Sequence, residues 1–195
     1  AEDVASLLSA MVVMGPHTGF PGDYARRTRL AMRFAWHGVM PATTRLLGYF
    51  PGRLTGLPSD LPKHVALQWA RRRDGDIWRD LSIRGGPTPT NCFDTLRTRI
   101  ESLRIPILGL RARDDAFSTN AGARRLLACY TNATSVLTCL EPSEYGLRRL
   151  GHMRYLSSKV MLTWEVMDRW LLQVLFHINP LPVPTEVEPY PESQP

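Results

Sequence analysis

The chain has 195 residues, 44% hydrophobic and 22% charged, the balance of a globular core rather than a disordered or fibrous chain. Its longest apolar stretches, "LLSAMVVMG" and "WLLQVLF", fall well short of the roughly 18 residues that a membrane helix needs, so no membrane span is expected. Net charge is +6, almost all arginine (Lys63 and Lys159 are the lysines), in small groups at 26–29, 71–73, 124–125 and 148–149 without interleaved aromatics, so no nucleic-acid partner is expected.

In chain order, "VASLLSAMVVM" (4–14) contains an apolar run that stops at "GPHTGFPGD", as a buried strand entering a loop would. In "YARRTRLAMRFAWHGVMPATTRLLGYF", Leu30, Phe34 and Met40, then Leu46, Leu47 and Phe50, recur at helical spacing, and Pro41 divides the run into two helices. "PGRLTGLPSDLP" reads as loop. Asp60 is placed to cap a helix starting at Pro62 and running through "KHVALQWARR". "GGPTPTN" is again loop.

From residue 100 the texture changes. "IPILGL" is a strand, "TNAGARRLLACY" a helix capped by Thr119 or Asn120, and "TSVLTCLEP" a second strand. "SEYGLRRLGHMRY" is a loop, and "SSKVMLTWEVMDRWLLQVLF" is an amphipathic helix capped by Ser157 or Ser158. Strand, helix, strand, helix is the order of an α/β fold with a parallel sheet. The tail "NPLPVPTEVEPYPESQP" is rich in Pro and Glu and is expected to be extended or disordered.

Cys92, Cys129 and Cys139 are odd in number and widely spaced, which argues against a disulfide framework. No Cys or His has metal-finger spacing, so neither a metal nor a cofactor is expected. The chemistry-bearing residues are carboxylates and a histidine. Asp114 and Asp115 lie just past the carboxyl end of a predicted parallel strand, the edge where active sites of open α/β sheets collect. His152 follows Asp115 by 37 residues, after one helix, one strand and a loop. If the second strand pairs in parallel with the first, the chain returns to the same edge and can set His152 beside the aspartate. A buried carboxylate there would fix the imidazole tautomer. Taken singly, an Asp pair after a strand serves a turn or a helix cap, and a lone His after Gly is an ordinary loop residue.

"LLGYFPGRLTGLPSDLPKHVALQWAR" (46–71), "IPILGLRARDDAFST" (105–119) and "EYGLRRLGHMRYL" (144–156) together resemble the C-terminal part of the α/β-hydrolase superfamily. The resemblance is to a bacterial group of predicted hydrolases of serine-aminopeptidase or lysophospholipase-like type, over most of residues 4–175. It implies strands six to eight of that fold, with a helical lid inserted. The implied organisation is a partial core at 1–21, a lid at 22–85, core again at 86–177 and the tail at 178–195. Asp115-Ala116-Phe117 matches the frame of the superfamily acid, with Asp114 the runner-up and otherwise a turn residue. His152, in "GHM", matches the catalytic histidine. Trp36, Tyr49, Phe50 and Trp69 would cover the site.

The same resemblance exposes a gap. The nucleophile of the superfamily sits in G-x-S-x-G, and no such motif occurs here; Ser6, Ser9, Ser59 and Ser82 all lack the flanking glycines. The aligned run 6–14 would be the sixth strand, so the nucleophile turn is expected before Ala1. The implied activity is ester or amide hydrolysis on a small hydrophobic substrate, through an acyl-enzyme on an upstream or separately supplied serine, with this chain inactive alone. The alternative is a non-catalytic, hydrolase-like interaction module. Residues 6–14 are expected to be covered by the missing half or another chain, because a long apolar edge strand invites pairing. With no basic-then-apolar leader at its start, the chain is expected in the cytoplasm.

Overall fold

Three parallel strands carry the architecture. In the computed structural model, which describes residues 4–55, 57, 59–72, 75–78, 90–152 and 154–176, they are β1 (Met11–Met14), β4 (Pro106–Ala112) and β5 (Thr134–Leu140). The tail at 178–195, the loop at 85–89, Ser82 and Met153 lie outside the described residues. The sheet order is β1-β4-β5, and both pairings are parallel. The fold is α/β, as the sequence pattern implies.

β4 is central and buried on both faces, as a strand of a helix-covered parallel sheet must be. Its two sets of alternate residues belong to different cores. Leu108, Leu110 and Ala112 pack with Leu140, Leu150, Tyr155, Val160 and Trp170, the last from helix α6 (Trp164–Phe176). Ile107 faces the other way, against Leu127 of helix α5 (Asn120–Leu127). Thr119 caps α5, its Oγ1 accepting from the Gly122 N–H at 3.1 Å. Ahead of α6, Ser157 caps a 3-10 segment, Ser158–Thr163, which the single predicted helix had absorbed; the break falls at Val160, whose φ/ψ of −123/28° is not helical.

Between β1 and β4 the chain builds a separate helical layer. It comprises α1 (Arg26–Phe34), a π-helical turn (Ala35–Val39), α2 (Met40–Leu47), the two-residue strands β2 (Tyr49–Phe50) and β3 (Leu61–Pro62), and α3 (Lys63–Trp69). Trp36, Met40, Phe50, Ala66 and Ala70 form its own core. A further helix, α4 (Thr90–Ser102), leads into β4.

Several local expectations are corrected. Pro41 does not stop the helix: it sits in the first turn of α2, where a missing N–H costs little, and the π-turn just before it takes up the irregularity. Gly48, at φ +81°, makes the stop by adopting the left-handed conformation. Asp60 does not cap α3; its Oδ1 accepts from the Arg53 N–H at 3.1 Å, and Pro62 occupies the cap position. Helix α4 lies where the sequence pattern reads only as a loop up to Asn91, although Phe93, Leu96 and Ile100 stand at helical spacing within it. The apolar run 6–14 is a strand only over Met11–Met14, preceded by a 3-10 turn at Val4–Leu7. Among the described residues β1 pairs on one side alone, with β4, and Leu7 and Leu8 are exposed.

Leu110 is the best test of this core, being fully enclosed on the central strand. Leu110→Ala should cost about 2–5 kcal/mol, read as a lower urea midpoint at unchanged slope.

Candidate active site

The parallel register delivers three chain segments to one sheet edge. β4 ends at Ala112, followed at once by the two aspartates; β1 ends at Met14, followed by Gly15 and the loop bearing His17; the chain leaving β5 returns with Leu150, Gly151 and His152. His152 Nδ1 and Asp115 Oδ2 lie 2.9 Å apart. The Asp115 carboxylate is fully enclosed, and its other oxygen accepts from the Phe117 and Ser118 N–H groups at 2.8 and 3.0 Å. Burial alone would raise the Asp115 pKa; the hydrogen bond from His152 and those from Ser118 and Phe117 outweigh it, so the group stays below its ordinary value.

The pairing fixes the tautomer. An ionised carboxylate can only accept, so Nδ1 carries the proton and Nε2 is left with its lone pair. The ring is held from other sides too. Phe117 packs at 5.4 Å between centroids, and His17 meets it edge-on at 5.0 Å. Gly15, at φ +61°, lies so close that a Cβ there would come within 3.0–3.1 Å of the His152 ring. A glycine is required at that point both for its backbone angle and for this approach.

Asp114 has a different task from the turn role expected of it. Its two oxygens accept from the Leu150 and Gly151 N–H groups, each at 3.0 Å. It therefore holds the loop that presents His152, across 36 and 37 residues of sequence. The acid beside the imidazole and the acid beneath its backbone are adjacent in the chain, and each fixes a different part of the same residue.

His17 was not singled out from the sequence. Its Nδ1 is buried without a partner. Burial, then the neighbouring His152 and Arg72, push its pKa down to about 4, against a small opposing pull from Asp115. It is thus neutral near pH 7 and does not compete with His152 for Asp115. Its loop is tied down by Asp23, whose carboxylate accepts from Thr18 Oγ1 at 2.9 Å and pairs with Arg125 at 2.9 Å. Ser118 Oγ donates to the Pro16 carbonyl, and Thr119 Oγ1 to that of Asp23.

A cavity of about 330 Å³ opens over the pair. It is lined by His17, Asp114, Ala116, Phe117, Arg149, Gly151 and His152, and by Trp36, Leu57, Leu61 and Trp69 from the helical layer. Of the four aromatics expected to cover the site, Trp36 and Trp69 line this cavity, 5.5 Å apart between ring centroids. Phe50 is instead a core residue of the helical layer, and Tyr49 is exposed. Ser59 is the serine at the cavity wall, on the loop before β3. Among the described residues no group of three His, Cys, Asp or Glu could hold a metal ion, and no helix is long and apolar enough to cross a membrane.

No protein-family model matches the chain, and no curated protein does. Solved structures similar to it include BpoC of Mycobacterium tuberculosis, described as a non-heme bromoperoxidase. That likeness spans 86% of this chain and 59% of BpoC, at 14% identity and a TM-score of 0.35. Rv0554 of the same organism is similar over 89% of this chain and 58% of its own, at 14% identity and 0.34. A variant of the meta-cleavage product hydrolase CumD is similar over 87% and 56%, at 14% and 0.30. These neighbours are α/β-hydrolases. The chain spans 56–59% of their length. At such scores the functional reading rests on the site geometry.

Two predictions follow from that geometry. Asp114→Ala should remove the hydrogen-exchange protection of the Leu150 and Gly151 amides and cost about 1–3 kcal/mol of stability, while the buried Asp115 carboxylate keeps its Phe117 and Ser118 donors. Unchanged protection would remove Asp114 from this role. The second concerns pH. An unfolded His17 takes up a proton near pH 6.5, whereas the folded one resists until about 4. The unfolded state therefore binds more protons between these values, and stability is full above the window and lost as pH falls through it, by at most about 3 kcal/mol. His17→Gln should flatten that part of the urea-midpoint profile.

Proposed function

We propose that this chain is the lid-bearing C-terminal part of an α/β-hydrolase-type serine hydrolase, which cleaves small hydrophobic esters or amides through an acyl-enzyme. The single observation carrying the reading is the His152 Nδ1 to Asp115 Oδ2 hydrogen bond, 2.9 Å, at the carboxyl edge of a parallel sheet beneath an apolar cavity.

In this reading His152 Nε2 takes the proton of a serine hydroxyl as that oxygen attacks the substrate carbonyl. Asp115 holds the ring and stabilises the imidazolium that forms, without itself taking the proton. His152 then protonates the leaving group. In the second half it activates water against the acyl-enzyme, and the serine recovers its proton. Asp114 and Gly15 act as positioning residues, and the helical layer over the cavity is the lid, its Trp36 and Trp69 facing the acyl part of the substrate.

The attacking hydroxyl is the part these 195 residues do not supply as a G-x-S-x-G turn. We place it on an upstream segment or a separate chain that pairs with the open side of β1. Ser59 is no substitute in this reading. It sits on a lid loop, not on the sharp strand-to-helix turn that exposes a nucleophile.

A fluorophosphonate probe tests the proposal. The 195-residue chain alone should stay unlabelled. The protein extended upstream through its reading frame should be labelled, with labelling abolished by His152→Ala and strongly reduced by Asp115→Asn. Labelling indifferent to His152→Ala sinks the assignment of the base, and labelling of the chain alone at Ser59 sinks the placement of the nucleophile.

A further inference from the structure

The charge of this molecule is not spread evenly. Between Asp23 and Asp60 there is no acidic residue, yet there are six arginines: Arg26, Arg27, Arg29, Arg33, Arg45 and Arg53. This stretch of the helical layer alone therefore carries a charge equal to the +6 of the whole chain. All six are exposed.

The same stretch leaves large apolar side chains in solvent. Leu30 is 77% exposed, Phe34 68%, Leu46 84% and Leu54 87%, with Val39 and Leu47 also exposed. Leu30, Phe34, Leu46 and Leu47 are among the residues that recur at helical spacing in the sequence; Met40 and Phe50 of the same set are buried. The inward face is another one: Met32, Trp36 and Met40 pack into the layer's core. The π-turn aligns the outer row. An extra residue in that turn makes the step from Phe34 to Val39 five positions, so Leu30, Phe34 and Val39 continue towards Leu46 and Leu47 along one side. Helical geometry places Arg26 and Arg33 along one flank of the Leu30–Phe34 pair and Arg27 along the other. Single exposed apolar residues need no explanation, but a row of them bordered by unopposed cations does.

We propose that the outer face of α1 and α2 docks on an anionic lipid bilayer. Leucine and phenylalanine would enter the boundary between headgroups and acyl chains, while the arginines extend along their stems to the phosphates. Charge selects this occupant. A second copy of the chain would set Arg26, Arg27 and Arg33 against their own counterparts, with no acid in α1 or α2 to pair them. A nucleic acid would satisfy the arginines and leave the apolar row without a use. The helices lie on the surface in this arrangement and do not cross it. The inference stands independently of the hydrolase reading.

Co-sedimentation of the full 195-residue chain with vesicles decides it. Binding is expected to phosphatidylcholine mixed with phosphatidylglycerol, to fall as salt is raised, and to be at least about tenfold weaker on phosphatidylcholine alone. Arg27→Gln with Arg33→Gln should weaken it by about thirtyfold, from roughly a fivefold contribution per arginine. Leu30→Ser with Phe34→Ser should weaken it by at least about tenfold through lost apolar burial. All four positions are exposed, so thermal unfolding should be unchanged in both variants. No binding to the anionic vesicles, or equal binding to both kinds, overturns the proposal. So does single-stranded DNA binding that needs the arginines but not Leu30 and Phe34, which would make the face a polyanion site. Lipid-free self-association abolished by Leu30→Ser with Phe34→Ser would make it an interface between copies and equally overturn the proposal.

Discussion

A buried carboxylate stays ionised only if hydrogen-bond donors replace the water it has lost, and much of the site follows from how Asp115 meets that requirement. Two of its donors are local, the Phe117 and Ser118 amides, and they exist because the chain turns into α5 just after β4. The third, His152, comes from 37 residues away and can arrive only if β5 runs parallel to β4 and ends at the same edge. Satisfying one acid thus ties together the central strand, the turn after it and the loop after the next strand. Removing any of the three donors leaves charge that burial then opposes.

Asp114 shows how the same chain position can answer two demands. Adjacent residues leaving a strand point in different directions, so one acid reaches the imidazole and the other reaches the backbone amides just ahead of it. This division explains why the pair stands together better than a turn function does. It also explains what the sequence could not reveal. Pattern and order marked the Asp114–Asp115 pair and His152, because a strand followed by an acid and a later histidine is a one-dimensional signal; the choice of Asp115 within the pair came from the family resemblance. The Leu150 and Gly151 amides that Asp114 binds are backbone groups present everywhere, so nothing in the sequence points to them. His17 was hidden for a similar reason: its contact with His152 comes from the sheet register, not from spacing.

The helical layer was legible in outline and misleading in orientation. Helical periodicity is present at Leu30, Phe34, Met40, Leu46, Leu47 and Phe50, yet of these only Met40 and Phe50 turn inward, because periodicity marks recurrence along the chain and not burial. It does not state which face is inward. Two apolar rows compete here, and Trp36, Met40 and Phe50, with more area to bury against Ala66 and Ala70, occupy the interior. Helix α4 shows another limit: Phe93, Leu96 and Ile100 are only three apolar residues at helical spacing, interrupted by polar and charged ones and preceded by a Gly- and Pro-rich loop. β4 lies at the favourable extreme: flanked on both faces, it shows a nearly unbroken apolar run, and its bounds follow the text of the sequence closely.

The side of β1 away from β4, which no strand among the described residues pairs, connects the fold to the proposed chemistry. A strand added there in parallel would lie about 4.8 Å from β1 and end level with it. β1 ends one residue before Gly15, and Gly15 is in near contact with the His152 ring. A hydroxyl carried just past the end of such a strand would therefore come within a few side-chain bonds of Nε2, the nitrogen that the Asp115 bond leaves with its lone pair. The tight approach at Gly15 acquires a purpose on this view: a bulkier residue would push the imidazole away from both Asp115 and the edge where its reaction partner would sit. The side of β1 away from β4 and the Nε2 lone pair of His152 would then both be met by a single added strand.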